Sequence, residues 1–171
     1  MVKKDIKRTR TAKTAEEKEF DQRVIDLARV TRVVKGGKRM RFRACVVIGN
    51  RKGKVGYGVA KGADVSRAIE KALRQAKKNI ISVPIINNTI PHKITKKSGA
   101  AIVMLKPAPK GSGIIAGGAV RSIAELAGIS DVISKIIGSN NNINNVRATM
   151  KALTSFKPVP KEMAEKNKKA K

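Results

Sequence analysis

The stretch VVKGGKRMRFRACVVIGNRKGKVGYGVA, residues 33–60, decides the fold. Its even positions Met40, Phe42, Ala44, Val46 and Ile48 are apolar, while Arg39, Arg41 and Arg43 hold odd positions ahead of Cys45 and Val47. Successive side chains of a strand point to opposite faces, so the alternation predicts a strand with one core face and one cationic face. At about 3.3 Å per residue, the three arginines stand roughly 6.6 Å apart, a row of planar forks suited to the phosphates of a polyanion. On a single strand such a row is ordinary solvated surface, and only the rest of the chain gives it meaning. Gly36-Gly37, between Lys35 and Lys38, signals a hairpin turn, because both positions tolerate positive φ. Gly49-Asn50-Arg51-Lys52-Gly53 repeats the device, again placing charge at a tip. The following strand, 54–60, alternates Val55, Tyr57 and Val59 with Gly56 and Gly58, and a glycine face admits another backbone at close range.

Upstream, 21–34 reads as a strand carrying Val24, Ile25, Leu27 and Val30. Downstream, Asp64 or Ser66 is a candidate N-cap for a helix with Val65, Ala68, Ile69, Ala72, Leu73 and Ala76 on one side. Its other side carries Arg67, Lys71, Arg74, Lys77 and Lys78. Three antiparallel strands and one helix over 21–84 make a small domain. Residues 81–86, broken by Pro84, suggest an edge strand. A second unit over 85–156 follows in the order β, β, α, β, α, with strands at 90–97 and 100–106, a glycine-rich loop at 110–118, a helix at 119–127 stopped by Gly128, a buried strand at 131–137 and a last helix from Val146. This second half is expected to have a core of its own. Residues 1–20 and 157–171 read as a basic arm and a basic tail, too poor in apolar residues to fold alone. The fold class expected is α+β.

Charge bounds the function. The 171 residues hold 39 Lys and Arg against 12 Asp and Glu, a net charge of +27. Such a chain repels itself until a polyanion neutralises it, which points to nucleic acid. The polar start MVKKDIKRTR lacks a signal-peptide core and no apolar run reaches the roughly 20 residues of a membrane span, so a cytoplasmic location and no membrane partner are expected. One cysteine, Cys45, and one histidine, His92, exclude a disulfide framework and an ordinary zinc site. Cys45 reads as a small strand residue and His92 as a loop residue. Only Phe20, Phe42, Tyr57 and Phe156 are aromatic, which argues against base-stacking surfaces.

Three motifs weigh against other functions. KGSGIIAGG, residues 110–118, lies between a strand and a helix, where a phosphate loop would sit. Its spacing is GxGxxxG, however, and neither GxGxxG nor GxxxxGK[ST] occurs. Asp131 lies 20 residues past Gly111, but ahead of its strand rather than at the strand's far end, so it does not read as a ribose-binding acid. The bland reading of these glycines is a loop packed tightly against a partner's surface. Gly53-Lys54-Val55-Gly56 matches GxxG but is flanked by strands, unlike the RNA-clamping loop between helices. No nucleophile has a histidine at workable spacing, so neither an enzyme, a cofactor nor a small-molecule substrate is expected.

TRVVKGGKRMRF, GKVGYGVAKG, RAIEKALRQAKKNI, KGSGIIAGGAVRSIAELAGI and GSNNNINNVRAT together resemble the bacterial-type small-subunit ribosomal protein five family, in order and over about 21–156. The resemblance implies a first half similar to a double-stranded-RNA-binding domain lacking its first helix. It implies a second half that is a compact α/β module with a left-handed βαβ crossover. It implies small-subunit ribosomal RNA as partner, with the Gly36-Gly37 hairpin and Val30, Thr31, Arg32 and Lys35 beside the RNA near the neck, where spectinomycin acts. It further implies that Gly111, Gly113 and Arg121 face ribosomal protein four, with protein eight and the incoming messenger RNA nearby. Together with the charge pattern, the RNA-binding candidates are Arg32, Lys35, Gly36, Gly37, Lys38, Arg39, Arg41, Arg43, Arg51, Lys52, Lys54, Lys61, Lys77 and Lys78. A structural rRNA-binding protein that steadies head against body and supports decoding is expected; a free-standing double-stranded-RNA binder or RNA chaperone is the alternative.

Overall fold

The computed structural model describes residues 20–156, so the basic arm, Phe20 apart, and the basic tail lie outside the described residues. Three long strands open the described residues: β1 (Asp21–Val34), β2 (Gly37–Gly49) and β3 (Lys54–Gly62). Helix α1 (Val65–Lys78) and a short β4 (Ile80–Ser82) complete an antiparallel sheet in the order β1-β2-β3-β4. Asp64 occupies the N-cap, though its side chain makes no capping hydrogen bond. The second sheet comprises β5 (Ile94–Ser98), β6 (Ala101–Pro107), β7 (Ile114–Ile115) and β8 (Val132–Gly138), in the order β5-β6-β8-β7. Helix α2 (Gly118–Ala127) connects β7 to the parallel neighbour β8, a βαβ unit, and α3 (Asn142–Thr154) ends the described chain. Gly128 closes α2 in the left-handed conformation, as its position after Ala127 predicts. Asn141 caps α3, its side chain accepting from the N–H groups of Ile143 and Asn144.

The glycine face of β3 has a definite use. A Cβ at Gly56 would lie 2.6 Å from the carbonyl oxygen of Ala76, and one at Gly62 would lie 2.6 Å from the nitrogen of Ala68. At Gly58 it would fall inside the carbonyl of Ala72. Helix α1 therefore lies directly on the strand, its Ala68, Ala72 and Ala76 meeting Ala44, Val46 and Ile48 of β2. Small residues on both sides let two backbones approach closely.

Some expectations need correction. β2 is not half core and half cation along its length. Met40 is 56 % exposed, Phe42 is half-buried and full burial on this face begins only with Ala44, because β3 pairs with β2 no further out than Phe42. The opposite face changes character as well: beyond Arg43 it carries Cys45 and Val47, both 0 % exposed. These residues, with Val55, join the cluster built from Val103, Val120, Ile123, Val132, Val146 and Leu153. The second half thus has no core wholly its own, since the back of the first sheet completes it.

Further bonds tie the halves together. The turn at Asn50–Gly53 keeps the Arg51 and Lys52 side chains exposed but is docked through its backbone: the N–H groups of Arg51 and Gly53 donate to the carbonyls of Leu126 and Ala127 at 2.9 and 2.8 Å. A side chain at Gly49 would strike Leu126, and one at Gly128 would strike Arg51. Arg23 of β1 reaches both Ser122 and Glu125 on α2.

Candidate nucleic-acid interface

The β1–β2 hairpin runs past the end of β3. Pairing of β1 with β2 continues from Phe42 out to Val34↔Gly37, whereas β3 stops opposite Phe42. Five residues of β2 and five of β1 therefore form a two-stranded ribbon reaching about 17 Å beyond the sheet. Lys35 and Gly36 make its tip. Only Gly36 has positive φ, at 81°, so the turn is not the mirror-image type that would need both glycines.

Cross-strand register sorts the ribbon's side chains. Residues opposite each other share a face, so Arg32 with Arg39, and Val30 with Arg41, lie on one side. Arg43 and Lys61, opposite each other across β2 and β3, extend the same side inward. Like charges directly opposed cost a few tenths of a kcal/mol or more unless an anion lies between them. Arg32, Arg39 and Arg41 are exposed and have no acidic partner among the described residues. Arg43 differs: it is partly buried and reaches the carboxylate of Asp26 at 3.3 Å, which ends the cationic row where the buried face begins. The reverse side of the ribbon holds Lys38 opposite Val33, Met40 opposite Thr31 and Phe42 opposite Arg29. Val33 is 75 % exposed. Arg29, exposed here, was not singled out by sequence because its cationic character shows no alternation of its own.

The other cationic candidates do not gather at the ribbon. Because α1 lies along β3 with Gly62 beside Ala68 and Gly56 beside Ala76, the end of α1 sits about 20 Å away, at the far end of β3. Lys77 and Lys78 occupy that last turn, where they also complement the partial negative charge of the helix C-terminus. Arg51, Lys52 and Lys54 are at the same end, and Arg51 pairs with Asp21 at 2.7 Å. The site residues thus form two clusters at opposite ends of one sheet.

The glycine loop is a third feature, its Ile114 lining one hollow with Arg51 of the far cluster. A buried carboxylate, Asp131, accepts the N–H groups of Gly111 at 3.0 Å and Gly113 at 2.9 Å. Two of the donors a phosphate would need are therefore already taken by the protein itself. The 20-residue separation between Gly111 and Asp131 reflects a clamp on the loop. Arg121 lies beside it, donating to the carbonyl of Ile114 at 3.1 Å. Above Gly111 and Gly113 the space is open, with no atom within 4 Å of an added Cβ, but both have positive φ, at 88° and 69°.

Burial, with Asp26 adding to it, pushes the Cys45 thiol up to about 11, so it stays neutral and sits as a small apolar strand residue. His92, in a loop, meets the ring of Phe156 edge-on at 5.2 Å.

Residues 20–84 match the family model for the ribosomal protein S5 N-terminal domain, and residues 96–167 match that for the ribosomal protein S5 C-terminal domain. The chain belongs to the ribosomal protein S5 family. As an S5 protein it is a small-subunit ribosomal protein that binds rRNA in the machinery of translation, and the α+β fold, an antiparallel sheet with one helix followed by a small α/β unit, agrees with the two S5 domains. Among the described residues no helix is long and apolar enough to cross a membrane.

Proposed function

We propose that this S5 protein is a structural constituent, not an enzyme, whose β1–β2 ribbon grips small-subunit rRNA and steadies the head of the subunit against its body. The observation that carries the reading is the ribbon itself: a thin element projecting past its sheet, with Arg32 opposed to Arg39 and no carboxylate among the described residues to neutralise either. A-form RNA hides its base edges in a deep groove, so guanidinium groups at this spacing read backbone shape rather than sequence. Arg43 and Lys61 at the root, and Lys35 and Lys38 near the tip, widen the contact. The far cluster of Arg51, Lys52, Lys54, Lys77 and Lys78 serves a second stretch of the same RNA.

With about six phosphate contacts, the logarithm of affinity should fall against the logarithm of salt with a slope of roughly −4 to −5. Filter binding to a small-subunit rRNA fragment across a salt series checks this, and salt-independent affinity would refute it. Sucrose-gradient sedimentation separates this reading from a free-standing RNA binder: the protein should travel stoichiometrically with small subunits in the cytoplasm after moderate salt washing.

The glycine loop and Arg121 make the surface proposed for ribosomal protein four, through which decoding accuracy is supported. Asp131 holds Gly111 and Gly113 from below and leaves their upper side open, as a docking surface requires. Gly113→Arg, which also strains a backbone at φ 69°, should change misreading while altering RNA affinity by less than about twofold. An unchanged error rate with lost RNA binding would contradict the assignment. Protein eight and the path of messenger RNA are proposed as further neighbours on the family resemblance alone.

A further inference from the structure

A groove of about 490 Å³ lies between the β3–β4 edge of the first sheet and α3 of the second half. Tyr57 from β3 and Ile81 from β4 form one wall; Arg147, Met150 and Lys151 of α3 form the other. Arg147 and Lys151 stand one helical turn apart, so their charges repel, and both are exposed with no acidic partner among the described residues. No carboxylate lines the groove. Tyr57 is half buried against the shared core, which fixes its ring, and its hydroxyl has no hydrogen-bond partner among the described residues. A held aromatic ring, an apolar floor and two cations without counter-charge suit a base and its phosphates; the volume falls within the about 300–1,000 Å³ of small-ligand sites.

We propose that this groove takes one or two nucleotides of single-stranded RNA, a base lying on Tyr57 and the adjoining phosphates on Arg147 and Lys151. The proposal rests on the rRNA-binding reading and adds to it a single-strand contact at the opposite end of β3 from the ribbon.

Tyr57 is the only tyrosine and the chain has no tryptophan, so its emission reports this groove alone. Titration of the full chain with hexa-adenylate should quench that emission at least about twofold, as a stacked base does. The double variant Arg147→Ser, Lys151→Ser should weaken the quenching titration by about tenfold or more, with an unchanged thermal melt. Lys106→Ser with Lys135→Ser, an equal loss of charge on the second sheet at exposed positions outside the groove and the ribbon, should leave it as in the parent. Absent quenching, or quenching kept undiminished in the groove variant, overturns the proposal. So does oligoglutamate perturbing Tyr57 where hexa-adenylate does not, which would assign the groove to an acidic protein segment. Filter binding of an rRNA fragment runs in parallel: retained rRNA without quenching sinks the groove alone, while loss of both sinks the broader reading.

Discussion

At Gly58 a single methyl group would meet the carbonyl of Ala72, a backbone atom that can retreat only if α1 leaves its strand. Gly58→Ala should therefore cost at least about 3 kcal/mol in urea unfolding, whereas Gly37→Ala, with nothing within 4 Å, should stay within about 0.5 kcal/mol. The Cys45 thiol makes a pH prediction. Its folded pKa, about 11, is raised above the ordinary 9.0, so the folded state resists losing the proton. Any stability linked to the neutral thiol is complete below pH 9 and is lost as pH rises toward 11. Across that window the parent should lose stability relative to Cys45→Ala, and native Cys45 should resist thiol reagents at pH 8 until urea is added. Sequence spacing made the Gly56 and Gly58 face legible, because glycine alternating with β-branched and aromatic residues leaves few other uses. It could not show that Arg43 would meet Asp26, since that pairing depends on the β1–β2 register and on a bulge between Val24 and Asp26.

Among the elements, the ribbon and the glycine loop show opposite designs. The ribbon is held by its own strand pairing and carries opposed charges; isolated two-stranded ribbons are marginal in water. Removing Arg32 and Arg39 together should leave the melting temperature of the free protein unchanged or slightly higher. The same variant should flatten the salt slope of RNA binding by about 1.4 to 1.8, the share of two phosphates. The loop is tied down. Asp131→Ala leaves the N–H groups of Gly111 and Gly113 without their acceptor, at a cost of about 1–3 kcal/mol, and should speed amide exchange at both glycines. The hairpin and both helices of the second half were readable from turn residues, 3.6-residue spacing and the glycine stop. The Asp131 clamp was in view as a spacing of 20 residues and was weighed only as a ligand contact, because local pattern cannot tell a carboxylate that binds a substrate from one that binds its own backbone.

For the molecule as a whole, the telling feature is the shared core. Sequence periodicity separates two sets of elements, but the back of a sheet paired on both sides is apolar on both faces only where something covers it; Cys45 and Val47 sat on what looked like the cationic side. Baring Cys45, Val47 and Val55 would forfeit on the order of 5 kcal/mol, comparable with the whole stability of a small domain. A fragment ending at residue 84 should therefore lack a cooperative melt and bind hydrophobic dyes, while the full chain melts in one transition. In the cell this sets an order of events. A nascent S5 chain whose first half has cleared the exit tunnel still shows a greasy back to solvent, and its shape is sealed only when Val146 and Leu153, near the end of the described chain, arrive to cover it.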